Sequence, residues 1–438
     1  MLDRRSLLKV TATLGAGLAL PAVAAPARSI PSPVWIRNAT ILTMDPRLGD
    51  FEQADVAISH GKIVAVGRGL TPISGSREID ANGMILIPGI VDAHWHLWNS
   101  ALRNSAPTAQ GETFFKSQLA ASSGFTPDSD AQGVTLGLRD AANAGITTVN
   151  NWSHNLRTPA FADAELRVMK ASGLRGRLWY GYPQDLPADA PMDFADVKRL
   201  QGLLAGSHRI DLGIAIRGPE RTGPAVWKPE FAFAKAQGLP VSTHISVTRQ
   251  AQAKGAIQQM ATLGLLTPML QLVHATHAEF QDIAAIAKGG ASVCITPLSE
   301  MRVGFGLAPV VALHEAGVSL CLGTDTLVLA GNANPFMVMQ TALNLATAMS
   351  ENEMALTAAD VLRWATQGGA DSMGLGSMIG SITPGKSADL TLIDGRQWGH
   401  VSLDNAAATV VQSATPADVQ CVMVDGRWVK EGGRHVSI

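Results

Sequence analysis

The chain has 438 residues, 46% apolar and 16% charged, a composition that builds a large buried core and excludes intrinsic disorder. Its 34 basic and 36 acidic side chains nearly cancel, and no basic cluster follows the N-terminus, so nucleic acid and anionic membrane surfaces are not expected as partners. Three widely separated cysteines, Cys294, Cys321 and Cys421, imply no disulfide framework and read as buried, inert thiols in apolar runs.

The first 28 residues stand apart. Asp3-Arg4-Arg5-Ser6-Leu7-Leu8-Lys9 precedes an apolar segment, Val10 to Leu20, too short to cross a membrane, and Ala22-Val23-Ala24 follows as a small-residue cleavage site. The paired arginines before Leu-Leu-Lys resemble a twin-arginine export signal, with Asp3 where Ser or Thr is usual. The expectation is a bacterial periplasmic or secreted protein, cleaved near Ala24 and free of the membrane afterwards.

Residues 29–87 carry short strands, Val34 to Met44, Val56–Ser59 and Lys62–Val66, broken by turn signals such as His60-Gly61. Eight apolar runs follow, each succeeded by a loop and an amphipathic stretch: Ile87–His96, Ile146–His154, Arg177–Pro183, Leu212–Glu220, Pro240–Ser246, Leu270–His277, Ala291–Pro297 and Ser319–Asp325. Strands alternating with helices make parallel βαβ units, and eight of them predict an α/β fold, a (β/α)8 TIM barrel over residues 88–380. Residues 381–438 return to short strands, in Ala388-Asp-Leu-Thr-Leu-Ile-Asp, Val419–Val424 and Arg427–Lys430. Neither end has enough strands to bury a sheet face alone, so both are expected to join in a small composite β-sandwich.

Chemistry in such barrels gathers at the C-terminal ends of the strands. His94 and His96 share one face of the first strand, since side chains alternate with period 2. The fifth run ends with His244, the sixth with His274 and the eighth with Asp325. Three imidazoles and a carboxylate form a ligand set that leaves a position open for water, as catalytic zinc sites require.

These residues carry a resemblance. Pro88-Gly-x-Val-Asp-x-His-x-His, Gly145-Ile-Thr-Thr-Val, Gly323-Thr-Asp325 and Gly380-Ser-Ile-x-Pro-Gly-Lys-Ser-Ala-Asp-Leu are similar to the motifs of the amidohydrolase superfamily, in the branch of s-triazine hydrolases and of cytosine and guanine deaminases. The resemblance implies metal ligation by His94, His96, His244 and Asp325. It also implies Asp325 as the proton-transferring base and His274 as the group beside the attacking water. One divalent metal is expected, zinc first and iron as the alternative. The implied reaction is hydrolysis at an sp2 carbon bearing nitrogen in a small molecule, a nitrogen heterocycle or an amide.

The chain departs from that pattern at two places. The branch usually carries His-x-x-Glu on the fifth strand, its Glu protonating a ring nitrogen, whereas the run here is His244-Ile-Ser-Val247. Glu220, at the end of the fourth strand, is nominated as the replacement acid or, together with Arg217, as a group that orients the substrate. No lysine occurs in Leu212–Glu220 to bridge two metals, which favours one; Glu220 as a bridge keeps a binuclear variant open. Trp98 and His154, with Trp95, Asn99, Trp152, Phe114 and Phe115 nearby, are expected to wall a pocket for a flat ring. Amide or lactam hydrolysis is the alternative reaction, and self-association is left open. A non-catalytic binding protein is disfavoured because all four ligands are present.

Overall fold

A computed structural model describes residues 31–399 and 401–436; the export-signal reading of residues 1–28 lies outside the described residues. Eight parallel strands form the barrel: β1 (Ile90–Trp95), β2 (Ile146–Ser153), β3 (Arg175–Tyr180), β4 (Ile210–Ala215), β5 (Val241–Ile245), β6 (Leu270–His274), β7 (Ser292–Ile295) and β8 (Ser319–Leu322). They are hydrogen-bonded in strict sequence order, as successive βαβ units dictate. Strands covered on both faces must be apolar almost throughout, and nearly every residue of these eight is buried.

Closure between the last and first strands is a backbone event at the chemically important end. The Asp325 amide donates to the His94 carbonyl at 2.8 Å, and the His96 amide donates to the Asp325 carbonyl at 2.6 Å. Gly323 permits it: a Cβ there would lie 2.6 Å from the His94 carbonyl oxygen. Inside the barrel Ala93, Val273, Cys294 and Cys321 pack on one another, and burial holds the Cys294 thiol well above its ordinary pKa. An uncharged thiol there serves as a small apolar side chain.

Helices surround the barrel, among them α1 (Pro127–Asn143), α2 (Pro159–Ala171) and α3 (Pro224–Gln237). Thr126 and Ser129 close a capping box on α1, and Pro starts each of the three where no amide is needed. Gly238 ends α3 with φ +64°, a left-handed cap that a side chain would strain.

Both chain ends meet in a single nine-stranded sheet, the form taken by the composite β-sandwich expected of them. The seam is the antiparallel pair Met84–Pro88 and Leu390–Asp394. Ile36, Ile41, Val56, Ile63, Leu86, Leu390, Leu392 and Met423 fill its core, each worth about 1.5–3 kcal/mol when fully buried. The motif around Lys386 to Leu390 latches this sheet to the barrel. Arg175 of β3 makes a buried bidentate pair with Asp389 at 2.8 and 3.2 Å, and Gly89, just before β1, donates its amide to the Asp389 carbonyl.

Candidate metal centre

β1, β5 and the residue three beyond β8 bring His94, His96, His244 and Asp325 together, all buried, with one ligand atom from each lying within 4.8 Å of the others. Asp325 Oδ1 lies 3.2 Å from His94 Nε2 and 3.3 Å from His96 Nε2, and His244 Nε2 lies 3.2 Å from His94 Nε2. A tetrahedron of zinc ligands with bonds of about 2.0–2.1 Å has edges of about 3.3–3.4 Å. The spacing therefore matches ligand atoms around one small cation.

Protonation states agree. Burial, first of all, pushes the pKa values of His94, His96 and His244 down, His96 to about 3, so these rings are neutral. Burial alone would raise Asp325, but the hydrogen bond from His94 and the surrounding imidazoles hold its carboxyl well below the usual range, ionised. His96 donates from Nδ1 to the Trp152 carbonyl at 2.7 Å, which leaves its Nε2 lone pair aimed at the cluster. Three imidazole nitrogens and an ionised carboxylate converging at these distances are the donors that zinc takes. The donor set fits a divalent metal on these grounds.

His274, the last residue of β6, stands beside this group, its ring stacked on His244 at 5.3 Å. Glu300 Oε1 accepts from its Nδ1 at 3.2 Å and from the Thr296 amide at 2.9 Å, so Nε2 is turned away from Glu300. His274 and Asp325 adopt φ of +75° and +65°, left-handed values that cost non-glycine residues energy and occur where function fixes a side chain's direction.

A cavity of about 210 Å³ opens onto the cluster, lined in part by His96, His154, His244, His274 and Asp325. His154 lines it as expected of a pocket residue. Trp98 donates from Nε1 to His154 Nδ1 at 3.0 Å. Indole only donates, so His154 Nδ1 accepts and the neutral ring carries its proton on Nε2; the Gln184 side-chain amide, 2.9 Å from Nε2, can accept that proton only with its oxygen turned to the ring.

Three residues nominated from sequence fall elsewhere. Trp98 is fully buried behind His154 and does not line the cavity, and Trp95 and Trp152 are fully buried too. Arg217 points away, donating to the carbonyls of Leu186, Pro187 and Ala190 and lying over the Tyr182 ring. Glu220 accepts from the Ser246 amide at 2.7 Å and stands outside both the cavity lining and the ligand cluster. The physical reason is the left-handed Gly218 (φ +70°), whose carbonyl accepts from the Arg221 and Thr222 amides. This turn brings Arg221 to the cavity in place of its neighbours.

Sequence reasoning also missed Tyr182, Gln184 and Phe305 in the lining and Glu300 behind His274. Only Glu300 left a signal, as an acid just beyond the seventh apolar run, in the first turn of the helix Pro297–Val303. Phe114 and Phe115 line the cavity as the loop after the first strand suggested, and Val247 fills wall where a glutamate was looked for.

Comparison with known proteins agrees with this geometry. A family model described as amidohydrolase family matches residues 85–429. The chain is 29% identical to a 5-methylthioadenosine/S-adenosylhomocysteine deaminase of Symbiobacterium thermophilum, over 90% of this chain and 93% of that one. It is 30% identical to the protein of that name from Desulforudis audaxviator, over 92% and 94%. Among solved structures, an adenosine deaminase from Xanthomonas campestris with bound zinc superposes with a TM-score of 0.82 at 26% identity, covering 92% and 94% of the two chains. Atrazine chlorohydrolase from Arthrobacter aurescens, at 24% identity, shares the fold with a TM-score of 0.81 over 92% and 97%.

Proposed function

Because this chain belongs to the amidohydrolase family and is a hydrolase of carbon–nitrogen bonds other than peptide bonds, we propose that it hydrolytically deaminates a small aminated nitrogen heterocycle. The observation that carries this reading is the buried group of three neutral imidazoles and one ionised carboxylate at the floor of a cavity. His94, His96, His244 and Asp325 would hold the metal, zinc by preference given the zinc-bound structural neighbour. Such a cation supplies Lewis acidity and lowers the pKa of water it binds from about 15.7 to about 7.

The chain's own groups do the rest. Asp325 is ionised and can take the proton of the attacking water and deliver it to the departing nitrogen. A carbon–oxygen bond forms, the carbon–nitrogen bond breaks and ammonia leaves. His274, its Nδ1 donating to Glu300, turns Nε2 to the cavity, where it can accept a hydrogen bond from the attacking water. The neutral His154 ring lines the cavity with both nitrogens engaged, Nδ1 by Trp98 and Nε2 by Gln184.

Val247 favours a second reading. Its side chain lines the cavity and can donate no proton to a ring nitrogen, so amide or lactam hydrolysis, which needs none, is the competing reaction. Ammonia release from aminopurines by zinc-loaded enzyme separates the two. The first reading expects ammonia, lost at least about a hundredfold in Asp325→Asn. Cleavage of N-acyl compounds or lactams without ammonia from any aminopurine would replace it with the second.

A further inference from the structure

The lining of the cavity divides by chemistry. Phe114, Phe115 and Leu119 come from a short helix, Phe114–Ser122, in the connection after β1, and Val303 and Phe305 from the segment after β7. Phe115 and Phe305 stack with ring centroids 6.1 Å apart. His154, Tyr182, Gln184 and Arg221 come from the ends of β2, β3 and β4. In an eight-stranded barrel the third and fourth strands lie across the axis from the seventh and eighth, so an aromatic side faces a polar one.

Arg221 is the one permanent cation among the described residues of the lining, and the one carboxylate there, Asp325, belongs to the ligand group. Of the nearby acids, Asp185 pairs with Arg157 at 3.0 Å and Glu220 accepts from the Ser246 amide, while Glu230, which acts on Tyr182 from outside the lining, is pushed up to about 7 by burial. Beside Arg221 is the buried Tyr182, whose hydroxyl has no other hydrogen-bond partner. Burial keeps that hydroxyl protonated, a donor next to a guanidinium fork. A buried hydroxyl left without an acceptor costs about 1–3 kcal/mol, which a ligand oxygen would recover. The Gly218 turn holds the backbone of Arg221 in place, and Lys254 steadies that turn by donating to the Glu220 carbonyl.

We propose that Arg221 and Tyr182 form an anion-recognising subsite, so that the substrate carries a carboxylate as well as the reacting carbon. A guanidinium fork matches a carboxylate in geometry and charge, and the hydroxyl supplies a third donor. This rests on the reading of the cavity as the substrate site and adds the substrate's charge to it.

The test uses zinc-loaded enzyme and a matched pair, adenine bearing an N9 propanoate and the corresponding N9 propanamide. Wild type is expected to prefer the carboxylate about tenfold or more in kcat/KM, mainly through KM. Arg221→Met should bring that ratio close to one, Arg221→Lys should restore part of it, and Tyr182→Phe should reduce it. Equal kcat/KM for the pair in wild type, or a ratio untouched by Arg221→Met, would overturn the subsite. If neither compound is hydrolysed, the deamination reading is judged separately by ammonia release from the other aminopurines, and calorimetric binding of the matching hypoxanthine N9 propanoate and propanamide still decides the subsite. Tighter carboxylate binding that Arg221→Met abolishes supports the subsite, whereas equal or absent binding overturns it.

Discussion

Asp325 is ionised in a buried position because the surrounding imidazoles outweigh its desolvation, and it keeps a left-handed backbone to aim its carboxylate inward. Glu220 is the instructive contrast. It too is a buried acid at a strand end, with its pKa raised by burial, yet its carboxylate is spent on the Ser246 amide two residues beyond His244. Glu220→Gln keeps an acceptor for that amide, so turnover should stay within about threefold of wild type. Glu220→Ala leaves the amide unpaired and should cost about 1–3 kcal/mol of stability, read from denaturant midpoints. A loss of turnover in Glu220→Gln comparable to that in Asp325→Asn would return Glu220 to the chemistry. Residue type and strand position pointed to His94, His96, His244, His274 and Asp325 before any coordinates. They could not separate Glu220 and Arg217 from Arg221, because the left-handed Gly218 lies between them in the turn after β4 and redirects the side chains that follow.

At the scale of elements, β2 shows how a strand is held from outside while its inner face serves the site. Asn151 and Ser153 donate to Glu165 of α2 at 2.6 and 2.7 Å, and Asn155 donates to Asp130 of α1 at 3.0 Å. Between them the Trp152 carbonyl orients His96, and His154 enters the cavity. Asp130 and Glu165 are both buried, and burial, then repulsion from Glu165, raises Asp130 far above 3.8, so the pair keeps a proton. The folded state thus binds more protons than the unfolded one. The stabilisation is complete below the ordinary carboxylate pKa and fades as pH rises through the raised value. The thermal midpoint of the wild type should therefore fall as pH is raised from neutral into the alkaline range, and more steeply than that of Asp130→Asn. Parallel curves would show that the pair does not hold a proton. None of this was legible in the sequence, since the two acids lie 35 residues apart on helices whose facing sides no local pattern fixes.

At the scale of the whole molecule, the alternation of apolar runs and amphipathic stretches made the barrel legible, because a parallel sheet covered on both faces demands it. The joining of both ends was legible as a need for partners, though not as one continuous sheet, since register across the seam of residues 84–88 and 390–394 depends on contacts between distant segments. The motif around Lys386 to Leu390 works as a latch, through Asp389 and Arg175, and not as part of the reaction. What the assembled barrel achieves is to bring four ligands from three parts of the chain to one point. Metal analysis with demetallation tests that claim most directly. Purified enzyme should hold one equivalent of divalent metal per chain, lose hydrolysis when a chelator removes it and regain it with added zinc. Full turnover by the rigorously demetallated protein would contradict the account.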